Sequence, residues 1–184
     1  MGFKLSVLAA TGTCAGGAGV FGIYKLVNKD SSIRTLTDEE YQLIFKEFKL
    51  QTSFITALKT KAPSIESTSS NTEGGKAAKA WCLDNNSSDA KLWCIHLPKT
   101  IREKIKKPLT MDWKAKVKAI KGTNNSDLLN DLKTIKRDLT QVSEDDQKAQ
   151  DALREWCESK LDFKLINTEG DTIYTKVESR CLAE

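Results

Sequence analysis

A chain of 184 residues with a hydrophobic fraction of 39% and a charged fraction of 29% has room for a short targeting segment and one ordinary domain, or two small similar lobes. Its formal net charge is +4, and three bases (Lys4, Lys25, Lys29) stand against one acid (Asp30) in positions 1–30, leaving +2 for the remainder. That excess is too small for a dedicated nucleic-acid binder, so no nucleic acid is expected among the partners.

The chain opens with a membrane-targeting segment, residues 1–30. From Leu5 to Tyr24 it reads LSVLAATGTCAGGAGVFGIY, without a charge. A helix of that length spans about 30 Å, the thickness of a bilayer's hydrocarbon core, and predicts a transmembrane helix at about 5–27 with the lipid bilayer as its partner. The richness in Gly, Ala and Thr weakens insertion relative to a Leu/Ile run, which leaves cleavage after export open. Gly17, Gly19 and Gly22 spell GxGxxG, with Asp38 to Glu40 near the distance of a ribose-binding carboxylate, but the helical periodicity that follows lacks the strand such a site needs. Met1, Gly2 and Ser6 fit a loose myristoylation pattern. Cys14 matches a lipoprotein cysteine poorly, because Thr11, Gly12 and Thr13 precede it. Gly12, Ala15, Gly16 and Gly19 give small-xxx-small spacing, a weak pointer to self-association. Lys4 on one flank and Lys25 with Lys29 on the other nearly balance, so the positive-inside rule leaves orientation undecided.

After Asp30 the pattern is amphipathic and mainly α-helical. Thr37 followed by Asp38, Glu39 and Glu40 is a helix start, with a capping hydroxyl and carboxylates at the positive end of the helix dipole. Tyr41, Ile44, Phe45 and Phe48 recur at helical spacing, and Phe54, Ile55 and Leu58 continue the apolar face. The stretch PSIESTSSNTEGG, Pro63 to Gly75, reads as an exposed loop. Between Lys99 and Lys121 nine Lys or Arg face only Glu103 and Asp112. Trp113, Val117 and Ile120 place a short helix there, with Lys114, Lys116, Lys118 and Lys121 on its flanks and outer face. The plain reading is a solvated face partnered by the acidic Glu144 to Glu158 region; the alternative is a basic helical module for anionic lipid or nucleic acid. Leu128, Leu132, Ile135 and Leu139 predict a helix over Asp127 to Leu139. Ala149, Leu153 and Trp156 predict another over Asp145 to Leu161, and Ile173, Tyr174, Val177 and Cys181 a last one.

Apart from Cys14 the cysteines are Cys82, Cys94, Cys157 and Cys181, and three follow a tryptophan directly (Trp81, Trp93, Trp156). An even number fits a disulfide framework outside the cytoplasm. The body reads as an imperfect repeat with halves 31–104 and 105–184. If so, the simplest pairing is Cys82 with Cys94 and Cys157 with Cys181, among three connectivities that four cysteines allow. Free buried thiols beside core tryptophans are the alternative. A zinc site is disfavoured, because the gaps are too long and no second His supports His96.

The Gly/Ala-rich opening span, the aromatic helix, the Ser-rich loop, the repeated Trp-Cys dipeptide and the stretch WCIHLPKTIREKI that begins at Trp93 and continues past Cys94, in that order, resemble the families of uncharacterised paralogous membrane or surface proteins of haemotropic mycoplasmas. The resemblance covers the whole chain. It implies a membrane or signal segment, a variable exterior and a role at the host-facing surface or in antigenic variation, and it supplies no catalytic residues; the anchor and the cysteine pattern add the expectation of a host-surface ligand or variable epitopes. No nucleophile with a base and no framed pair of carboxylates is present, and His96 stands alone in what reads as an apolar context, so an enzyme is not expected and no cofactor or metal is assigned. The expectation is a mainly α protein: an N-terminal transmembrane or signal-anchor helix, then a small helical bundle or two similar lobes joined near 105–112, single-pass at the cell membrane with the soluble domain (31–184) outside, or secreted or lipid-anchored if the segment is cleaved.

Overall fold

The computed structural model describes residues 36–122 and 125–183, and among these the backbone is helical, with no strand longer than an isolated bridge. The readings made on Leu5–Tyr24, on the GxGxxG glycines, on Gly2, on Cys14 and on the small-xxx-small spacing lie outside the described residues. No helix among the described residues is long and apolar enough to cross a membrane.

The first helix, α1 (Asp38–Phe48), starts where a hydroxyl and a carboxylate satisfy each other's backbone donors. Thr37 Oγ1 accepts from Glu40 N at 3.3 Å, and the Glu40 carboxylate accepts from Thr37 N at 2.7 Å. This capping box quiets donors that a helix start leaves without partners. Tyr41, Ile44 and Phe45 then face inward. Helix α2 (Thr52–Lys59) has no side-chain cap and is held by packing, with Phe54 and Leu58 fully buried.

Helix α3 (Asn71–Leu83) corrects the expected loop from Pro63 to Gly75: the last five residues of that stretch are its first turns. Ser70 caps it and Glu73 reaches back to Ser70 N at 3.2 Å, a second capping box hidden in a Ser/Thr-rich run. The two glycines inside it mark a close approach. A Cβ on Gly74 would lie 2.1 Å from the Phe45 ring, and one on Gly75 would lie 2.6 Å from Gln42 Cγ. Hydrogen at these positions lets α3 lie directly on α1. Helix α4 (Ser88–Trp93), capped by Ser87, completes the first core, whose centre is Phe45, Phe54, Trp81 and Trp93. Phe54 and Trp93 meet edge-on at 5.2 Å between centroids, and Trp81 lies 5.5 Å from Trp93.

One turn of helix, α5 (Ile101–Lys104), leads to α6 (Trp113–Ile120), α7 (Asn125–Lys133), α8 (Gln147–Lys160) and α9 (Gly170–Cys181), which surround the second core. Helix α7 stops six residues before the expected Leu139. The Thr134 hydroxyl donates to Asp131 O at 2.6 Å, a local bond that competes with helix continuation. Leu139 still reaches the core through the turn that follows, at 2% exposure. One shift along the chain carries Trp81 to Trp156, Ala78 to Leu153, Ala77 to Ala152 and Gly74 to Ala149, and all eight residues are buried. It also carries Thr37, the cap of α1, to Asp112, the cap of α6. α1 packs on α3 as α6 packs on α8.

The cores do not divide cleanly at 104/105. Leu43 of α1 and Ile101 of α5 belong to the second core, and Leu97 packs against both. A short antiparallel pairing sews the two together: Leu165 N donates to Lys99 O at 2.8 Å, Ile101 N to Phe163 O at 3.1 Å and Arg102 N to Leu161 O at 2.7 Å.

Candidate functional site

Each cysteine of the body sits on or at the end of a helix, and the helices decide the partners. Cys82 lies near the end of α3 and Cys94 caps α4; their sulfurs are 2.02 Å apart. Cys157 lies in the last turns of α8 and Cys181 ends α9, with sulfurs 2.06 Å apart. The Cα separations of 5.8 and 5.7 Å are those of ordinary disulfides. Of the three connectivities open to the sequence, the structure has the one that staples each core within itself. The tryptophans preceding Cys82, Cys94 and Cys157 fall on the apolar faces of their helices and are buried, which explains why the Trp-Cys dipeptide recurs: the aromatic anchors the helix whose next residue is bridged.

His96 corrects an expectation. It lies in the extended segment after α4, half exposed, and its Nδ1 is 2.8 Å from Glu40 Oε1, so its context is a carboxylate and not an apolar wall. Glu40 is 5% exposed. Burial pushes its carboxyl up. The bonds from Thr37 N, His96 and the Thr37 hydroxyl, with Lys99 Nζ at 3.5 Å, outweigh it and hold the group at about 2. A carboxylate held ionised while buried is a fixed anchor, and this one ties the start of α1 to the segment Cys94–Thr100. In the sequence Glu40 reads as a dipole partner and as part of the acidic group Asp38 to Glu40; the T-x-x-E spacing from Thr37 signals its capping box, and no spacing signals its tie to His96. Nearby, Lys164 pairs with Glu39 at 2.9 Å and Lys46 with Asp171 at 2.9 Å, so α1 reaches the second core through charge as well as through Leu43.

The basic stretch is spread over several acids. Lys99 faces Glu40, Arg102 pairs with Asp162, Lys104 lies near Asp171, Lys114 pairs with Asp145 and Lys121 with Glu144. Two of these partners fall in the acidic Glu144 to Glu158 region. A second network, not foreseen in the sequence, joins Asp127 and Asp131 of α7 to Lys176 and Arg180 of α9. Hydrogen bonds from Lys176 and Arg180 hold the Asp127 carboxyl below the usual carboxylate range. Burial lowers the Lys176 ammonium, but its bonds to Asp131 and Asp127 leave it raised. Arg180, 9% exposed, also lies over the Trp156 ring at 5.6 Å. Lys176 and Arg180 each bond to both Asp127 and Asp131, which makes the network a clamp between α7 and α9.

A shallow groove of about 600 Å³ runs between α1 and α3, lined by Asp38, Gln42, Thr72, Gly75, Lys79 and Leu83. Two of its charged groups are paired, Lys79 Nζ with Asp38 at 2.8 Å, and Lys76 lines it as well. Among the described residues no three His, Cys, Asp or Glu side chains are placed to hold a metal ion.

No family model, no curated protein and no solved structure matches this chain. The assembled site is a joint: two stapled cores, a buried carboxylate and the Cys94–Thr100 segment between them.

Proposed function

We propose that this chain is a membrane-anchored surface protein, with Leu5–Tyr24 in the bilayer and the helical body outside the cytoplasm as a binding or variable-epitope module. The observation that carries the reading is the pair of disulfides, each closed within its own core. Bonds of this kind persist in oxidising surroundings and are rare in a reducing cytosol. The uncharged span of bilayer length supports the anchor. The resemblance to the paralogous surface families of haemotropic mycoplasmas supports a host-facing role, and the anchor with the cysteine pattern adds a host-surface ligand. The rival reading of Lys99–Lys121 as a contact for anionic lipid or nucleic acid is weakened by the ion pairs that Lys99, Arg102, Lys114 and Lys121 make with acids of the same chain.

The test is protease treatment of intact cells followed by detection of both ends of the chain. The expected result is loss of the body with retention of the N-terminal peptide in the membrane fraction. A body that survives on intact cells and is cut only after lysis would overturn the proposal.

A further inference from the structure

The structure assigns different chemistry to its two disulfides: Cys157–Cys181 is a sealed structural bond, and Cys82–Cys94 is a thiol-exchange site whose opening frees the segment that links the two cores. The assignment stands on placement and goes beyond the surface-protein reading. Cys157 and Cys181 are both at 0% exposure inside the second core. No thiolate reaches either sulfur unless α8 and α9 part. Cys82 and Cys94 are partly buried at the margin of the first core, beside the exposed Leu83 and Leu92. Exchange needs access of a thiolate to a sulfur along the bond, so access ranks the two sites.

The reaction balances with a dithiol as reductant. Its thiolate attacks one sulfur, forming a mixed disulfide as the Cys82–Cys94 bond breaks and the other cysteine leaves as a thiolate. The reagent's second thiol then displaces the bound cysteine and closes the reagent's own disulfide. Two electrons pass to the protein, and the two cysteine thiolates take up two protons.

The consequence follows from what Cys94 holds. From it runs the segment that carries His96 to Glu40, Leu97 between the two cores and Lys99 to Glu40 and Leu165 N. The far end is fastened to the second core by the Lys99–Arg102 pairing. At the near end the covalent tie to α3 is the disulfide, beside the packing of Trp93 on Trp81. Reduction therefore converts a segment tethered at both ends into one held covalently by the chain alone, and loosens α4 with it.

Graded treatment of the oxidised full chain with dithiothreitol, then alkylation and peptide mass spectrometry, tests the assignment. Cys82 and Cys94 should be alkylated at least about tenfold faster than Cys157 and Cys181 in the native protein, and at similar rates in concentrated guanidinium. Equal native rates, or the reverse order, would overturn it. Hydrogen exchange on the partly reduced protein gives the second reading: faster exchange over 84–98 with 147–181 unchanged supports the release, and exchange over 84–98 that stays at the oxidised level refutes it.

Discussion

Replacing Gly74 with alanine sets two effects against each other. In an isolated helix the change is favourable by about 1 kcal/mol, because glycine loses more backbone freedom on folding. Here the new Cβ would lie 2.1 Å from the Phe45 ring, where ordinary contact begins at 3.4 Å, so the ring or the helix must yield by about 1.3 Å. Phe45 is fully buried and lies 6.5 Å from Phe54 between centroids, so it has no space to retreat into. Overpacking of this kind costs roughly 1–3 kcal/mol, more where backbone must move. Taking the upper part of that range less the propensity gain, we expect a net loss of about 1–2 kcal/mol, seen as a fall in Tm of roughly 3–6 °C for a body of this size. Equilibrium denaturant unfolding monitored by tryptophan fluorescence measures it. Phe45→Leu combined with Gly74→Ala should lose less than the sum of the two single changes, by at least about 1 kcal/mol. An unchanged or raised stability for Gly74→Ala would refute the close-approach account.

Three further outcomes follow from the same structure. Removing Cys157 and Cys181 together by alanine should cost about 3 kcal/mol, and removing Cys82 and Cys94 slightly less, since the first bond closes the longer loop; reversible unfolding under non-reducing conditions checks both. The Glu40 carboxyl is lower when folded, about 2 against an ordinary 4.5, so its contribution is present above pH 4.5 and is lost as pH falls toward 2. The full effect is about 3 kcal/mol by linkage, and Glu40→Gln should flatten the acid limb of the stability profile. Arg180→Ala should cost roughly 2–4 kcal/mol with little salt dependence, because it leaves Asp131 and Asp127 short of a partner beside the core, whereas Lys114→Ala, which breaks the exposed pair with Asp145, should leave unfolding unchanged.

Much of the helical body was legible because period and capping agree. Tyr41, Ile44 and Phe45 recur at helical spacing behind the cap Thr37; Trp113, Val117 and Ile120 do so by period alone, their cap Asp112 being seen only in the structure. The parts that were not legible have identifiable causes. Helix α3 begins in a run of Ser, Asn, Thr and Gly whose local preference is for a loop; what overrides it is the packing of Gly74 on Phe45, a contact distant in the chain. Helix α4 is too short for periodicity to register. The pairing of His96 with Glu40 joins residues 56 positions apart, and no spacing rule reaches that far. The repeat signalled by the recurrent Trp-Cys gives Cys82 with Cys94 and Cys157 with Cys181 as the simplest of three connectivities, and that is the pairing in the structure.

Each staple closes within its own core, and among the described residues no disulfide crosses from one to the other. The linker between α5 and α6 carries the exposed Lys106 and Lys107. A single cut there would leave two pieces with no covalent bond between them, even in fully oxidised protein. Each piece would keep its own disulfide and its own tryptophans. On a denaturing gel run without reductant, such a nicked chain would migrate as two bands; everything that joins the halves in the folded state is of the kind that detergent dissolves.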